Sequence, residues 1–402
     1  MTQTRTPPAI AASWSLDPDI AHLNHGSFGG TPNEVMDYQR EIRARLERQP
    51  VQFFARDWEP LLDEAKDSLG LFLGAQPTDL AFLHNATAGV NTVLRSLAFE
   101  PGDELLTTNH EYNACANALR YVAERSGATP VIVDVPFPIQ SSDEVYDAVM
   151  AKVTDRTRIA LLDHVTSPTA LIFPIERLVR DLQDRGVDVL VDGAHAPGML
   201  PVDLDSLGAA YYTGNLHKWV CGPKGAAFLH VREDRQQDIV PLSISHGFNS
   251  PRTDRSRFEI LFGWTGTTDP SAWLSIPTAI QCMRAMRPGG WPEVMEHNRS
   301  LALQGRDAIL NALEIEAPAP DDMIGCMASI PLPDNPSPSG NSALYADPIQ
   351  DDLLQRWGIE APVPPWPESP KRLLRISAQL YNEIGQYEQL GEAVKTLLDE
   401  GR

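Results

Sequence analysis

Residues 175–198 read IERLVRDLQDRGVDVLVDGAHAPG, and the pattern of this stretch decides the fold. Its first half spaces apolar residues three and four apart and ends at Gly186, as amphipathic helices often do. Its second half is a short apolar run that ends in a carboxylate, Asp192, and is followed by small residues. A helix that leads into a buried strand is part of a βαβ unit, in which helices cover both faces of a parallel sheet.

The same alternation of apolar runs and amphipathic stretches extends from about residue 80 to residue 230. Seven short runs are candidate strands: DLAFLHN, DELLTTN, TPVIVDV, RIALLDHV, DVLVDGA, AAYYTG and AAFLHV. Helical patterns such as AGVNTVLRSL and ACANALRYVAERSG lie between them. We therefore predict an α/β fold with a mostly parallel sheet, and we expect ligands beyond the carboxyl ends of its strands.

The remaining sequence predicts two further regions around this sheet. We expect an N-terminal arm over residues 1–20, a large domain over 21–284 and a small C-terminal α+β domain over 285–402. A long polar helix, EVMDYQREIRARLERQ, precedes the sheet, and a helical stretch, SAWLSIPTAIQCMRAM, ends the large domain. The proline-rich stretch PLPDNPSPSG in the C-terminal region is predicted to be an exposed loop.

Composition excludes several classes of function. A net charge of −21 argues against a nucleic-acid surface or an anionic membrane as partner. The four cysteines lie far apart without a CxxC pair, which favours reduced thiols over a disulfide framework or a zinc site; they are Cys115, Cys221, Cys282 and Cys326. The N-terminal stretch MTQTRTPPAIAASWS lacks the apolar core of a signal peptide, and no apolar run has membrane-spanning length. We therefore expect a cytoplasmic protein.

Polar residues follow two of the predicted strands. In AFLHNATAGVN, Ala86 and Thr87 enter a helix, whose free N–H groups can bind an anion or be satisfied by an ordinary cap. In LLTTNHEYNACAN, Tyr112 could stack on a flat ligand or could be a half-buried core tyrosine. His110 and Glu111 precede it without the second histidine of an HExxH zinc motif, so that motif is excluded.

The strongest signals are a carboxylate and a lysine. Asp192 ends a buried strand, where a charge is costly unless a positive partner meets it, and His195 follows three residues later. Lys218, one of only six lysines, follows His217 in GNLHKW. A metal site or a structural ion pair is an alternative, although a metal would need more ligands at known spacings. Neither GxGxxG nor GxxxxGK[ST] occurs, which excludes the common nucleotide loops.

Pyridoxal phosphate needs all the groups that these motifs offer. Its aldehyde needs a lysine, and its pyridine nitrogen needs a carboxylate to stay protonated. Its ring needs an aromatic cover, and its phosphate needs a helix N-terminus. The order and spacing of the motifs therefore favour a pyridoxal-phosphate enzyme.

The motifs LNHGSFGG, NATAGVN, HEYNA, VDGAHAPG, GNLHKW and LLRIS together resemble the class V aminotransferase family of pyridoxal-phosphate enzymes. Within that family the chain is most similar to the isopenicillin N epimerase-like branch, from about residue 20 to the C-terminus. The resemblance implies fold type I, with a large domain carrying a mostly parallel seven-stranded sheet and a small C-terminal domain. It also implies a homodimer with active sites at the subunit interface.

The resemblance further implies roles for individual residues. Lys218 would form the imine, Asp192 would pair with the pyridinium nitrogen, and His195 would hydrogen-bond the ring hydroxyl. The other implied contacts are with the ring face (Tyr112), the phosphate (Ala86, Thr87, Thr213, His217), the phosphate bound in the neighbouring subunit (Thr267 or Thr268) and the substrate (Arg375, Asn24, His25). Lys224 is the nearby alternative for the reactive lysine, and a structural pair with Glu383 is the alternative for Arg375.

The absence of a cysteine shortly before Arg375 reduces the number of candidate reactions. Family cysteine desulfurases carry a nucleophilic cysteine shortly before the carboxylate-binding arginine, and GIEAPVPPWPESPKRLLR contains none. We therefore expect an enzyme acting at the Cα of an amino acid, epimerase-like by resemblance, with a C–S lyase or an aminotransferase as alternatives. Epimerisation needs a second base, which the sequence does not identify. A catalytically silent binding protein of the same fold is a further alternative, against which the joint presence of Lys218, Asp192 and Arg375 argues.

Overall fold

The computed structural model describes residues 9–336 and 347–402. In chain order, the strands of these residues are β1 (Ala21–His22), β2 (Leu80–Leu83), β3 (Glu104–Thr108), β4 (Thr129–Val133), β5 (Thr157–Asp163), β6 (Asp188–Asp192), β7 (Tyr211–Asn215), β8 (Ala227–Val231), β9 (Met327–Leu332), β10 (Ile359–Glu360) and β11 (Arg372–Ser377). Each of the seven candidate strands predicted from sequence overlaps one of β2 to β8, and only Thr157 of β5 and Asn215 of β7 lie outside the predicted runs. Those seven strand predictions are therefore confirmed.

Strands β2 to β8 form one central sheet in the order β2-β8-β7-β6-β5-β3-β4. Strands β7, β6, β5, β3 and β4 run parallel, while β8 is antiparallel to both of its neighbours, β7 and β2. Strands β3, β7 and β8 are buried along their whole length, as expected of a sheet covered on both faces. The predicted α/β fold with a mostly parallel seven-stranded sheet is confirmed.

The helices cover this sheet and build the C-terminal region. In chain order they are α1 (His25–Phe28), α2 (Asn33–Arg48), α3 (Pro50–Gln52), α4 (Trp58–Leu73), α5 (Ala86–Ser96), α6 (Asn113–Ser126), α7 (Ser142–Met150), α8 (Ile175–Gln183), α9 (Leu204–Leu207), α10 (Arg257–Gly263), α11 (Ser271–Leu274), α12 (Ile276–Ala285), α13 (Trp291–Leu313), α14 (Pro348–Trp357) and α15 (Ile384–Asp399). Within the described ranges, each helix is either too short or too polar to cross a bilayer.

Two helices differ from their sequence-based expectation. The stretch SAWLSIPTAIQCMRAM forms two helices, α11 and α12, because Pro277 near the start of α12 has no N–H with which to continue the α11 hydrogen bonds. Helix α8 ends at Gln183, and Gly186, the expected end, lies beyond it with a positive φ of 78°.

The C-terminal region forms a smaller α+β unit beside the central sheet. Strands β9 and β11 pair antiparallel, and α13 packs against α15 and β9. Strand β1, near the start of the chain, pairs in parallel with β10 and so joins this unit. The predicted domain limits remain a prediction. Residues 1–8 of the predicted arm and residues 337–340 of the predicted proline-rich loop lie outside the described residues.

The topology brings the chemically interesting residues to one edge of the sheet. Asp163, Asp192 and Asn215 are the last residues of β5, β6 and β7, which are neighbours in the sheet. Helices α5 and α6 begin shortly after β2 and β3 end. Since the carboxyl ends of parallel strands share one edge, loops that are distant in sequence meet there.

Gly89 allows α5 to pack closely against β7, and its replacement tests that contact. A Cβ at residue 89 would lie only 2.1 Å from Oγ1 of Thr213. We expect Gly89→Ala to lower the free energy of unfolding by about 1–3 kcal/mol, as overpacking of a buried contact does, measured by urea denaturation. Gly263→Ala is the control, because a Cβ there meets no atom within 4 Å. Equal stability of the two variants would contradict the close approach.

Candidate active site

Lys218 lies in the loop between β7 and β8, half-buried beside His195. Its Nζ is 2.9 Å from Nε2 of His195. Burial, and after it the positive charge of Arg375, lower the pKa of Lys218 to about 7. The amine is therefore unprotonated above neutral pH, in the form that attacks an aldehyde or accepts a proton. Lys224, the other lysine of this loop, is exposed and donates to the carbonyl of Gly29 at 2.9 Å.

Trp219 determines which nitrogen of His195 carries the hydrogen. The indole Nε1–H, which can only donate, lies 3.3 Å from Nδ1 of His195. Burial holds the pKa of His195 well below its ordinary value, so the ring is neutral and its single hydrogen is on Nε2. Nε2 therefore donates to Lys218, whose amine must offer a lone pair. The tautomer of His195 that Trp219 selects therefore agrees with an unprotonated Lys218.

Asp192 is buried at the end of β6 with only 2% of its surface exposed. The backbone N–H of Ala194 donates to Oδ1 at 2.9 Å, and the thiol of Cys115 on α6 donates to Oδ2 at 3.2 Å. Burial raises the pKa of the Asp192 carboxyl because a charge is disfavoured away from water. A cationic group in front of this carboxylate would offset that cost.

The start of α5 forms the anion-binding end of the site. Asn85 caps the helix by accepting from the N–H of Ala88 at 2.8 Å. The N–H of Ala86 donates to Oδ1 of Asn215 at 2.9 Å, so the end of β7 is tied to the first turn of α5. Thr87 lies in this turn, half-buried. Because the N–H groups of Ala86 and Ala88 already have acceptors, this turn can offer a phosphate the N–H of Thr87 and the helix dipole.

Thr213 and His217, both predicted to contact the phosphate, differ in whether their side chains are available to a ligand. The hydroxyl of Thr213 is fully buried and donates to the carbonyl of Phe228 at 2.7 Å, so a phosphate contact would require that bond to break. His217 bonds the carbonyl of Ala226 through Nδ1 at 3.0 Å, which leaves its Nε2 for a ligand. Burial lowers the pKa of His217 to about 4, so it would act as a neutral donor. Asn215, the last residue of β7, contacts the first turn of α5 and is therefore closer than Thr213 to the expected phosphate position.

Tyr112 and the Gly-Thr-Thr loop carry the remaining residues that the sequence assigned to the cofactor. Tyr112 precedes α6 and is 43% exposed, so one side of its ring is accessible to a flat ligand. Thr267 and Thr268 lie in the loop between α10 and α11. Neither hydroxyl makes a hydrogen bond within the residues that the structure describes. Their predicted contact with a second subunit therefore stays a prediction.

Arg375 on β11 is a buried cation without a carboxylate partner. Only 6% of it is exposed. Its Nη1 donates to the carbonyl and hydroxyl of Ser167 at 2.7 and 3.1 Å, and its Nη2 donates to the hydroxyl of Ser27 at 2.8 Å. Its buried Nε has no acceptor among residues 9–336 and 347–402. Burial lowers the pKa of Arg375 to about 10, so it remains charged at neutral pH. An anion is the group that it lacks.

The alternative partner of Arg375, Glu383, is used elsewhere. Glu383 precedes α15 and accepts from a backbone N–H of the first helical turn. No ion pair joins it to Arg375 in the part of the chain described here. The structure therefore gives no support to a structural pair between these two residues.

Asn24 and His25 lie in the walls of the site. Asn24 donates to Oε1 of Glu360 at 3.3 Å and accepts from the hydroxyl of Ser27, which itself contacts Arg375. His25 is fully buried, with Nδ1 2.8 Å from the hydroxyl of Tyr381 and Nε2 3.0 Å from the carbonyl of Lys218. Burial lowers the pKa of His25 to about 3, so the ring is neutral. Both side chains position other residues, and a direct contact with substrate stays a prediction.

The structure adds site residues that sequence reasoning missed. They are Asn215, which accepts from the first turn of α5; Trp219, which donates to His195; Ser27 and Ser167, which accept from Arg375; and Glu111, Cys115 and Asp163, which surround Asp192. Asp163 had a usable signal, since it ends an apolar run as Asp192 does. The serine contacts had none, because they join residues more than 200 positions apart.

Known proteins resemble this chain in sequence along most of its length. The sequence model described as Aminotransferase class-V matches residues 31–334. The isopenicillin N epimerase of Amycolatopsis lactamdurans is 34% identical, over 96% of this chain and 99% of that protein. The probable chloroplastic L-cysteine desulfhydrase of Arabidopsis thaliana is 28% identical, over 96% of this chain and 84% of that protein.

Solved structures share the fold at lower sequence identity. The cystine C–S lyase C-DES, in complex with its reaction product cysteine persulfide, superposes with a TM-score of 0.77 and 19% identity, covering 94% of this chain and 97% of that one. The apo cysteine desulfurase of Thermococcus onnurineus superposes with a TM-score of 0.78 and 17% identity, covering both chains fully. At these identities the likeness shows the fold alone.

The Trp219 contact generates a prediction about Lys218. In Trp219→Phe, Nδ1 of His195 can carry the hydrogen, and Nε2 can then accept from a protonated lysine. We expect the pKa of Lys218 to rise from about 7 toward its ordinary value. The measurement is the pH dependence of Lys218 labelling by an amine reagent, read by peptide mass in cofactor-free protein. Trp357→Phe on α14 is the control, and an unchanged pKa in Trp219→Phe would refute the tautomer assignment.

Proposed function

The chain belongs to the class V aminotransferase family, and on that basis we propose that it is a pyridoxal-phosphate-dependent enzyme acting at the Cα of an amino-acid substrate. The predicted family and cofactor are confirmed at this level. The leading reaction is an epimerisation of the isopenicillin N epimerase type, and its supports are the two epimerases at 34% and 31% identity over nearly the whole chain. Elimination at a C–S bond is the second candidate.

The residues at the sheet edge fit this cofactor. Asp192 would face the ring nitrogen, His195 would donate to the ring hydroxyl through Nε2, and Tyr112 would cover the ring. The phosphate would meet the first turn of α5 with Ala86, Thr87, Asn215 and His217 around it. The observation that supports the fit is a buried carboxylate with no cationic partner within hydrogen-bonding distance among the described residues, since a pyridinium would supply that charge.

Lys218, His195 and Asp192 each have a distinct chemical role in the proposed reaction. Bound pyridoxal phosphate supplies an aldehyde for amines and a ring that takes up the electrons of a breaking Cα bond. Lys218 Nζ, neutral above about pH 7, takes a proton from Cα and returns it. Without cofactor the Nε2–H of His195 orients that amine, and with cofactor bound the same N–H would donate to the ring hydroxyl instead. The Asp192 carboxylate holds a proton on the ring nitrogen.

Arg375 is the single observation that carries the assignment to an amino-acid substrate. A guanidinium that is 6% exposed, without a carboxylate and with an unpaired Nε, is costly unless an anion binds. Its charge lowers the pKa of Lys218, which supports a site that the two residues share. An α-carboxylate on Arg375 would bring the adjacent Cα to the amine of Lys218. The planar guanidinium suits such a two-point contact.

The C–S lyase alternative is favoured by the count of bases. Lys218 is the only amine among the site residues described, and elimination needs one base where epimerisation needs one on each face. The matched L-cysteine desulfhydrases agree with this alternative. Persulfide formation on the protein is disfavoured, since all four cysteines are buried and burial raises the pKa of each thiol above its ordinary value.

An amino-acid panel tests the function directly. The holoprotein would be incubated with single L-amino acids, L-cysteine and isopenicillin N, and the products separated on a chiral column and assayed for sulfide, pyruvate and ammonia. Inverted Cα configuration without keto acid supports the epimerase; sulfide with pyruvate supports the lyase. Lys218→Ala is the control and should lose either activity. Absence of any product from the panel, with cofactor bound, would count against both.

Arg375→Lys tests the carboxylate contact. The ammonium keeps the charge but cannot reproduce the two-pronged contact. We expect a folded, cofactor-containing variant whose kcat/KM falls by roughly tenfold to a hundredfold, the loss that follows from weakening a charged hydrogen bond. Arg356→Lys on α14 is the control for the exchange itself. Unchanged kinetics in Arg375→Lys would assign Arg375 a structural role.

We also propose a homodimer with shared sites, in which Thr267 or Thr268 contacts the cofactor phosphate of the neighbouring subunit. The test mixes Lys218→Ala subunits with subunits carrying both Thr267→Ala and Thr268→Ala. In a hybrid, one site has an intact lysine and intact threonines, so random mixing should restore about a quarter of the wild-type sites. A mixture no more active than its components would contradict the cross-subunit contact.

A further inference from the structure

Three buried carboxyl groups lie together at the sheet edge where β5 and β6 end. Glu111, Asp163 and Asp192 are 7%, 2% and 2% exposed. Asp163 and Asp192 are paired across the parallel ladder of β5 and β6 as the last residues of those strands. A carboxylate oxygen of Glu111, one of Asp192 and the sulfur of Cys115 all lie within 4.8 Å of one another. One carboxylate, Asp192, is enough to pair with the ring nitrogen of the cofactor, so the other two carboxyl groups need a separate explanation.

Two of the three carboxyls lack the donors that ionised carboxylates need. Asp192 has two donors, Ala194 and Cys115. Glu111 has only the hydroxyl of Thr107 at 3.3 Å, and its Oε1 is buried with no hydrogen-bond partner. Oδ2 of Asp163 is likewise buried without one. Within residues 9–336 and 347–402, no lysine or arginine forms an ion pair with either side chain.

The contact between Glu111 and Asp163 resolves both deficits if one of them is protonated. The two side chains are within hydrogen-bonding reach of each other, so a single proton between them gives each carboxyl a partner. Two ionised carboxylates at this distance, away from water, would repel each other with no donor to compensate. We propose that Glu111 and Asp163 share one proton and hold a single negative charge behind Asp192, which strengthens the hold of the cofactor's ring nitrogen on its proton.

The surrounding charges agree with a shared proton. Burial raises the pKa of Glu111 well above its ordinary value, with Asp163 and then Asp192 adding to the effect. Burial and then Asp192 raise the pKa of Asp163, while the contact with Glu111, the backbone N–H of Asp163 itself and, last, Lys218 oppose this rise. The other titratable groups around the cluster are the Cys115 thiol, whose pKa burial also raises, and Tyr112 next to Glu111. Lys218, itself mostly neutral above about pH 7, is the only amine among them.

The nearby histidines do not supply a compensating charge. His110 is neutral and engaged, with Thr169 at 2.7 Å and the Val135 carbonyl at 3.0 Å. His164, next to Asp163, contacts the hydroxyl of Tyr212 at 2.9 Å, and burial lowers its pKa to about 4. Glu111 and Asp163 are thus positioning residues that act on the ring nitrogen through Asp192. This role rests on the proposed cofactor chemistry, while the shared proton itself does not.

Amide variants separate the charge from the proton. Glu111→Gln and Asp163→Asn each supply an N–H to the remaining carboxylate, so each single variant keeps one negative charge without a titrating proton. The double variant Glu111→Gln/Asp163→Asn removes the charge. All three conserve shape, and circular dichroism and thermal unfolding would verify that they fold.

The first readout needs no cofactor. An infrared difference spectrum of wild type minus Glu111→Gln at pH 7 should contain one carboxylic-acid carbonyl band that shifts in D2O. A difference that contains only carboxylate bands, or a stoichiometric metal ion in purified wild type by elemental analysis, would overturn the shared proton. This readout stands even if the proposed function fails.

The second readout tests the effect on the ring. With ¹⁵N-labelled pyridoxal phosphate bound, the ring nitrogen should resonate as pyridinium in wild type and in both single variants. In the double variant its resonance should move toward that of unprotonated pyridine as the pH rises, over a range in which the others do not change. A resonance in the double variant identical to wild type across that range would overturn the positioning role.

Discussion

A guanidinium buried without a carboxylate is the constraint from which the electrostatics of this site follow. Arg375 is held by hydroxyl and carbonyl groups of Ser27 and Ser167, which orient it without neutralising it. Its charge helps to keep the amine of Lys218 unprotonated. A substrate carboxylate bound to Arg375 would offset the cost of burying this charge. Burial is thus the first cause of the low pKa of Lys218 and the charge of Arg375 the second, and the same charge is the group proposed to bind a carboxylate.

The fold makes this arrangement by joining two regions. Lys218 follows a strand of the central sheet, whereas Arg375 lies on β11 of the C-terminal unit. The segment that begins at β1 connects them, because it pairs with β10 and then places His25 between Tyr381 and the backbone of Lys218. Gly29, just after α1, has a φ of 70°, and a Cβ there would lie 2.0 Å from the carbonyl of His217. That contact explains why a glycine ends this helix.

Much of the fold was predictable because local patterns carried it. Short apolar runs predicted the seven strands. Asp192 and Lys218 were recognisable because a carboxylate and a rare lysine followed such runs. The break between α11 and α12 was missed although Pro277 was visible, since apolar periodicity continued across it. Thr213 was assigned to the phosphate through its motif, but its side-chain bond to Phe228 depends on β8, whose antiparallel direction no local pattern reveals.

The polar contacts of the site were less predictable, because they depend on strand order. Glu111, Asp163 and Asp192 meet only because β3, β5 and β6 are neighbours in the sheet. The capping of α5 by Asn215 likewise depends on β7 lying next to that helix. A residue type and its spacing identify a candidate group, whereas its partner is set by topology.

The central claim is that Arg375 holds an α-carboxylate so that Lys218 can take the proton from Cα. It is tested most directly by incubating the holoenzyme with amino acids in D2O and following the Cα–H signal by proton NMR. Loss of the Cα–H signal from at least one amino acid, abolished by Lys218→Ala and slowed by Arg375→Lys, is the predicted result. Retention of the Cα–H signal in every amino acid tested, with the cofactor bound to the protein, would contradict the claim.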